Sequence, residues 1–189
     1  MRVKLYMSNI PKSALTDEFY EAVEIIGSDV WRDASIRFYS IRDNKISHGQ
    51  IAPKGMQKYL NEVLVEKFAQ KGWEADAGYF YKNETWIRIT FRHQMSLGTD
   101  FIDALKVCKK EGVKLAVIMA ANRDTLNTIS PNDAAALVSF EKLYKEYLSL
   151  EGALDIPLII GELSPLTSAS DDINIELKKD RPRDKSIPQ

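Results

Sequence analysis

The sequence predicts a single α/β domain with a mixed central sheet flanked by helices, and three stretches carry that expectation. The first is E-T-W-I-R-I-T-F-R, Glu84 to Arg92, in which Ile87, Ile89 and Phe91 alternate with Trp86, Arg88, Thr90 and Arg92. A period of two puts apolar side chains on one face of a strand and polar ones on the other. The second is G-Y-F-Y-K-N-E just before it, where Lys82-Asn83-Glu84 would turn the chain back as a hairpin. The third is V-K-L-A-V-I-M-A-A, Val113 to Ala121, apolar enough for a strand covered on both sides. A helix from Thr99 to Glu111 joins the hairpin to it, which gives an α/β order.

In chain order, Val3, Leu5 and Met7 alternate with Lys4 and Tyr6 and predict a short strand before the breaks at Asn9 and Pro11. Thr16 offers an N-cap, with Asp17 and Glu18 in the first turn where the helix dipole favours acids. Phe19, Val23 and Ile26 form the stripe of that helix, which is expected to end near Gly27. Residues Ser35 to Ile41 read as a second strand and residues 42–51, R-D-N-K-I-S-H-G-Q-I, as a polar loop. Pro53 then opens a helix whose apolar positions Met56, Leu60, Val63, Leu64 and Phe68 recur at helical spacing; Gly72 closes it and Trp73 packs on its last turn. Beyond the buried strand, Ser130-Pro131-Asn132-Asp133 predicts a helix start, with Leu137, Phe140, Tyr144, Tyr147 and Leu148 as its stripe and Gly152 after its end. Ile156 begins another buried strand, I-P-L-I-I-G-E-L. Residues 1–165 are thus read as the domain and 166–189 as a polar C-terminal tail, in which the alternating Ile173, Ile175 and Leu177 would dock as an edge strand.

With 189 residues, 44% apolar and 28% charged, the chain is ordinary for one globular domain with a sizeable core. No apolar run approaches the roughly 20 residues of a membrane span, and the N-terminal apolar stretch is short for a signal peptide, so a cytoplasmic location is expected. The single Cys108 has no internal partner, falls among Leu105 and Val107, and argues against a zinc site. Because 26 basic residues nearly balance 27 acidic ones, any nucleic-acid binding must come from a local patch.

The motif search is mostly negative: it finds no phosphate-binding glycine loop and no metal-ligand spacing around His48 or His93. His48 sits in the polar loop and His93 ends the central strand, where a plain surface histidine is the ordinary case. Asp76 and Glu84 flank the hairpin. Two carboxylates on neighbouring strands can hold magnesium, although exposed turn acids are far commoner.

Three runs carry a resemblance over about Thr16 to Pro165: G-Q-I-A-P-K-G-M-Q-K-Y-L-N-E-V-L-V-E-K-F-A-Q-K-G-W (49–73), F-Y-K-N-E-T-W-I-R-I-T-F (80–91), and S-F-E-K-L-Y-K-E-Y-L followed by D-I-P-L-I-I-G-E-L-S-P. In order and spacing they resemble the BglII and BstYI family of type II restriction endonucleases. The resemblance implies a restriction-endonuclease-like (PD-(D/E)XK-type) core, usually a homodimer, that grips double-stranded DNA around a G-A-T-C centre. It also implies magnesium-dependent cleavage in active members, by an Asp on the first hairpin strand and a Glu-X-Gln nine residues later on the second.

Those positions correspond here to Tyr79, Arg88 and Thr90, so all three are replaced. The loss is serious because carboxylates hold the hard cations that activate the attacking water, and Arg88 would repel such a cation. The alternation is expected to leave Arg88, Thr90 and Arg92 on a solvent-facing side, where guanidinium groups can contact phosphate. His93, and Arg42, Asn44, Lys45 and Gln50 in the 42–51 loop, are the further DNA-binding candidates. The plainer alternative for Arg88 and Arg92 is a solvated strand face paired with acids such as Glu84.

Three function classes follow. One is a DNA-binding protein with a degraded or rearranged metal site. A second is an active magnesium-dependent endonuclease in which Asp76 and Glu84, or a helix acid such as Glu21 or Glu24, supply the ligands. The third is a non-catalytic nuclease-fold subunit that contacts another protein, which the near-zero net charge also suits.

Overall fold

A computed structural model describes residues 1–6, 10, 14–76, 78–150, 152–165 and, as backbone, 177–178. Among these residues seven strands form one sheet in the order β2-β3-β4-β5-β6-β1-β7. They are β1 (Arg2–Tyr6), β2 (Glu74–Asp76), β3 (Tyr79–Lys82), β4 (Thr85–Thr90), β5 (Leu115–Ala121), β6 (Leu158–Ser164) and the two-residue β7 (Leu177–Lys178). Strands β2, β3 and β4 are antiparallel neighbours, β4, β5 and β6 run parallel, and β1 lies antiparallel to β6. The sheet is therefore mixed, as the sequence predicts. β7 pairs with β1 in parallel at Leu5↔Leu177; Met7, Asn9, Pro11, Ile173 and Ile175, on which further expectations rested, lie outside the described residues.

Among the described residues six α-helices cover the two faces: α1 (Asp17–Gly27), α2 (Val30–Ser47), α3 (Gln57–Gln70), α4 (Leu97–Lys110), α5 (Arg123–Ile129) and α6 (Phe140–Leu150). The alternation of β5 divides the core between them. Leu115, Val117, Met119 and Ala121 point with Ile87, Ile89 and Ile159 toward α1, α3 and α5, whereas Ala116, Ile118 and Ala120 point with Trp86 and Ile160 toward α4 and α6. Every residue of β5 is buried, the continuous apolar run of a strand covered on both sides.

Local signals set the ends of several elements. Thr16 caps α1, its hydroxyl accepting from the Phe19 N–H at 3.1 Å. The same hydroxyl lies 2.6 Å from that of Thr85, which ties the cap to the start of β4. The β3–β4 hairpin turns at Asn83-Glu84, with Asn83 in the left-handed region at φ 51° that Asn tolerates better than most residues. Its Nδ2 donates to Glu18 on α1. Phe68 at the end of α3 stacks on Phe80 with ring centroids 4.0 Å apart and meets Trp73 edge-on, as the position of Trp73 suggested.

Three sequence expectations are corrected. Ser35 to Ile41 is helix, not strand, and Arg42 to Ser47 continues that helix rather than forming a loop. The reason is visible in Val30, Ala34 and Phe38, a four-residue repeat that lays α2 on α3; Val30 and Ala34 are buried and the Phe38 ring meets Tyr59 at 5.9 Å. The aromatic and β-branched content of Ser35 to Ile41 imitates a strand only while that earlier anchor is left out. Second, the segment after Ser130 forms turns, and α6 begins nine residues beyond Pro131, at Phe140. There Leu137 bridges to His93 and the Val138 N–H donates to the Arg92 carbonyl, so this stretch is spent extending the end of β4. Ser139, wholly buried, accepts from the Lys142 N–H in its place. Third, α3 starts at Gln57, later than Pro53, because Met56 first donates its N–H to the Ile129 carbonyl.

Candidate functional site

The hairpin register builds the site. Asp76 faces Tyr79, Tyr79 faces Arg88, and Arg88 faces Ile118, so these four side chains form one row on the α4 side of the sheet. Thr90 lies two residues along on the same face. The expectation of a solvent-facing side is overturned here. Arg88 is 2% exposed and Thr90 fully buried, because α4 closes over the row with Leu97, Phe101 and Ala104.

A guanidinium enters such a place only with compensation. Arg88 Nε donates to Asp100 Oδ1 at 3.2 Å, and its guanidinium carbon sits 3.8 Å from the centroid of the Tyr79 ring. Arg92, half-buried, donates from Nη1 to the same Oδ1 at 3.2 Å. Asp100 has no exposure, and its Oδ2 accepts no hydrogen bond among the described residues. The Tyr79 hydroxyl reaches on to Asp103 Oδ2 at 3.2 Å. Two arginines therefore share one buried carboxylate, with Tyr79 as the floor. The pairing of Arg88 and Arg92 with Glu84 does not occur; Glu84 meets Lys114 at 2.8 Å at the far end of the hairpin.

Asp100 was not singled out from the sequence, yet a signal exists. It falls in the stripe Leu97, Asp100, Phe101, Ala104, the spacing of a buried helix face, and a carboxylate on such a face demands a cationic partner.

These residues do not fit magnesium. The donors at the three corresponding positions are a phenol ring, a guanidinium and a buried hydroxyl, and a cation bound there would face Arg88 and Arg92. Nor does the register bring Asp76 and Glu84 together. Asp76 is level with Arg88, whereas Glu84 lies four residues before Arg88, about 13 Å away along the strand. Glu21 is occupied elsewhere, accepting from Lys82 Nζ at 2.7 Å and Trp73 Nε1 at 2.8 Å; the Lys82 bond above all holds its carboxyl below the usual range. Among the described residues no three His, Cys, Asp or Glu side chains are grouped to hold a metal ion.

Three segments meet where β4 ends. Gln57 donates to the Phe91 carbonyl at 3.1 Å, Met56 is bonded to Ile129, and Gln94 and Val138 link the end of β4 to the turns at 131–138. The polar surface here comes from Arg92, His93, Gln94 and Lys142. Much of it is already engaged: His93 Nδ1 accepts from the Met95 N–H, while Lys142 Nζ donates to Gln94 Oε1 and to the carbonyls of Ala135 and Leu137. Asn44, Lys45, His48 and Gln50 are exposed at the outer end of α2 and just beyond it, with Arg42 half-buried beside them.

No protein-family model matches the sequence, and no curated protein matches it. The architecture does match a solved structure, the restriction endonuclease BglII complexed with a DNA 16-mer, with a TM-score of 0.61 over 89% of this chain and 81% of that one. The fold is restriction-endonuclease-like. Sequence identity across the match is 13%, so the likeness reports the fold and leaves activity to the site itself. No described helix is long and apolar enough to cross a membrane.

Proposed function

We propose that this chain is a DNA-binding protein of restriction-endonuclease-like fold that holds double-stranded DNA without cutting it. The observation that carries the reading is the Arg88–Asp100 pair: at the sheet position where the resemblance implies a metal-binding carboxylate, the chain places a buried guanidinium and closes α4 over it. The structural likeness to a nuclease in complex with DNA supports the choice of partner.

Contact with the backbone falls to the residues left at the surface around the end of β4. Arg92 keeps 38% of its side chain exposed while anchored to Asp100, so its remaining N–H donors are presented in a fixed direction for a phosphate oxygen. His93 follows it in the chain, and the Arg42, Asn44, Lys45 and Gln50 group is a second candidate. Arg88 acts from beneath, sharing Asp100 with Arg92, and the Thr90 hydroxyl accepts from the Arg92 backbone N–H, so both position Arg92 rather than touching DNA.

Fluorescence anisotropy on a labelled G-A-T-C duplex tests the reading. Affinity is expected to fall steeply as salt rises, and Arg92→Ala is expected to weaken binding and flatten the salt slope by about one counterion. Affinity indifferent to salt, or the absence of binding at low salt, would instead favour a nuclease-fold subunit that contacts protein.

A further inference from the structure

Arginine stays charged throughout the working pH range of a protein, so a guanidinium drawn partly out of water calls for an anion. Of the seven described arginines, Arg32, Arg37, Arg42, Arg88 and Arg92 each meet a carboxylate. Arg2 and Arg123 are half-buried, and neither forms an ion pair among the described residues. Arg2 Nε is buried and makes no hydrogen bond. Arg123 is held in place by neutral and backbone contacts: its Nη1 donates to the Ala134 carbonyl at 2.9 Å, and its backbone N–H to Glu141 Oε1 at 3.3 Å. The remaining donors of its guanidinium are unused within the described residues.

The sheet register sets both arginines on one edge with Arg92. Strands β4, β5 and β6 run parallel and end together, and β1, antiparallel to β6, begins at that edge. On the α4 side one row reads Thr90, Ala120, Glu162, Lys4. The next row on the same face reads Arg92, Asn122, Ser164, Arg2, in which Arg2 faces Ser164 and the Asn122 N–H donates to the Leu163 carbonyl. All four are half-buried, so they form a polar ledge across the strand ends. At about 4.8 Å per strand its ends lie about 14 Å apart, which is about four base steps of a duplex at 3.4 Å each. Arg123 follows Asn122, and its bond to Ala134 draws it over the turns that extend β4. The carboxylate in the row below, Glu162, accepts from the Tyr6 hydroxyl at 3.3 Å and from Asn122 Nδ2 at 3.0 Å, and forms no ion pair among the described residues.

We propose that this ledge is a track for the DNA backbone, on which phosphates run across the strand ends from Arg92 past Arg123 to Arg2. The proposal rests on the DNA-binding reading and adds to it a direction, across the strands rather than along them, and two cations that the hairpin does not contain. A phosphate supplies the anion that Arg2 and Arg123 lack, and the guanidinium fork suits it in geometry as well as in charge.

Fluorescence anisotropy on the full chain across a salt series is the test. Arg123→Gln removes the charge but keeps a donor for the Ala134 carbonyl, and Arg2→Gln removes the second charge. Each is expected to reduce the slope of log affinity on log salt by about 0.9, and the double variant by about 1.8. Arg123→Lys, which keeps the charge, is expected to keep the slope, as is Arg32→Gln, whose partner Asp29 lies just before α2. Phosphates carry no sequence information, so the reduction is expected to be equal on a G-A-T-C duplex and on one of scrambled sequence. Unchanged circular dichroism checks the fold of each variant. Wild-type slopes in Arg2→Gln and Arg123→Gln, beside a reduced slope in Arg92→Ala, would overturn the track and leave the DNA-binding reading standing. A reduction confined to the G-A-T-C duplex would also overturn it, because it would assign these arginines to bases. A wild type that binds no duplex at low salt would overturn the track together with the reading on which it rests.

Discussion

Removing Asp100 is expected to be among the most damaging single changes in this protein. Asp100 has no exposure and Arg88 only 2%, so Asp100→Ala leaves a guanidinium buried without its carboxylate. At 3.2 Å the attraction is about 5 kcal/mol for an effective dielectric near 20, and orphaning one partner of a buried pair costs about 3–5 kcal/mol. For a chain of 189 residues that loss lowers Tm by roughly 10 °C. Replacing both partners by apolar residues of similar size, Arg88→Met with Asp100→Leu, removes the charge and its counter-charge together and is expected to cost less than Asp100→Ala alone. Urea unfolding of the two single variants and the double variant gives the coupling energy. A loss below about 1 kcal/mol for Asp100→Ala, or a double variant as unstable as the sum of the singles, would refute the reasoning from burial.

Other outcomes follow from neighbouring features. Gly78 has φ +84°, and a Cβ there would meet the Ile89 carbonyl oxygen at 2.5 Å and Arg88 Nη1 at 3.0 Å, so Gly78→Ala is expected to destabilise by about 2 kcal/mol or more in chemical unfolding. The Cys108 thiol is pushed up to about 11 by burial, so iodoacetamide at pH 8 is expected to alkylate the folded chain about a hundredfold more slowly than the unfolded one. Lys82 and Trp73 hold the Glu21 carboxyl below its ordinary value near 4.5; its contribution to stability is therefore complete above that value and lost as pH falls through the depressed one. Glu21→Gln is expected to flatten the decline of stability in this acid range, measured as urea midpoints at a series of pH values.

The parts of the fold with one dominant pattern were legible in the sequence. Residues Leu115 to Ala121 could be little else than a strand covered on both sides, the Lys82 to Thr85 turn carried its Asn, and Thr16 with two following acids marked the start of α1. Where two periods competed, tertiary packing decided. Ser35 to Ile41 alternates well enough for a strand, but Val30 and Ala34 fix the helix that carries it. Ser130-Pro131 has the chemistry of a helix start, but the end of β4 takes Leu137 and Val138 as partners first. The site was legible in one direction only. Sequence located the row of Tyr79, Arg88 and Thr90, but the alternation of a strand cannot say whether its second face meets water or a helix. Arg88 suggested a solvated surface by its charge; the missing fact was Asp100 on the inner stripe of α4.

The most direct measurement is incubation of the pure protein with G-A-T-C duplex DNA, in magnesium and separately in manganese, with binding and strand integrity read from the same samples. Retarded but intact DNA, released as salt rises, is the predicted result. Metal-dependent nicking that Asp76→Ala abolishes would contradict it, because it would mean that a working metal site had been built beside Arg88.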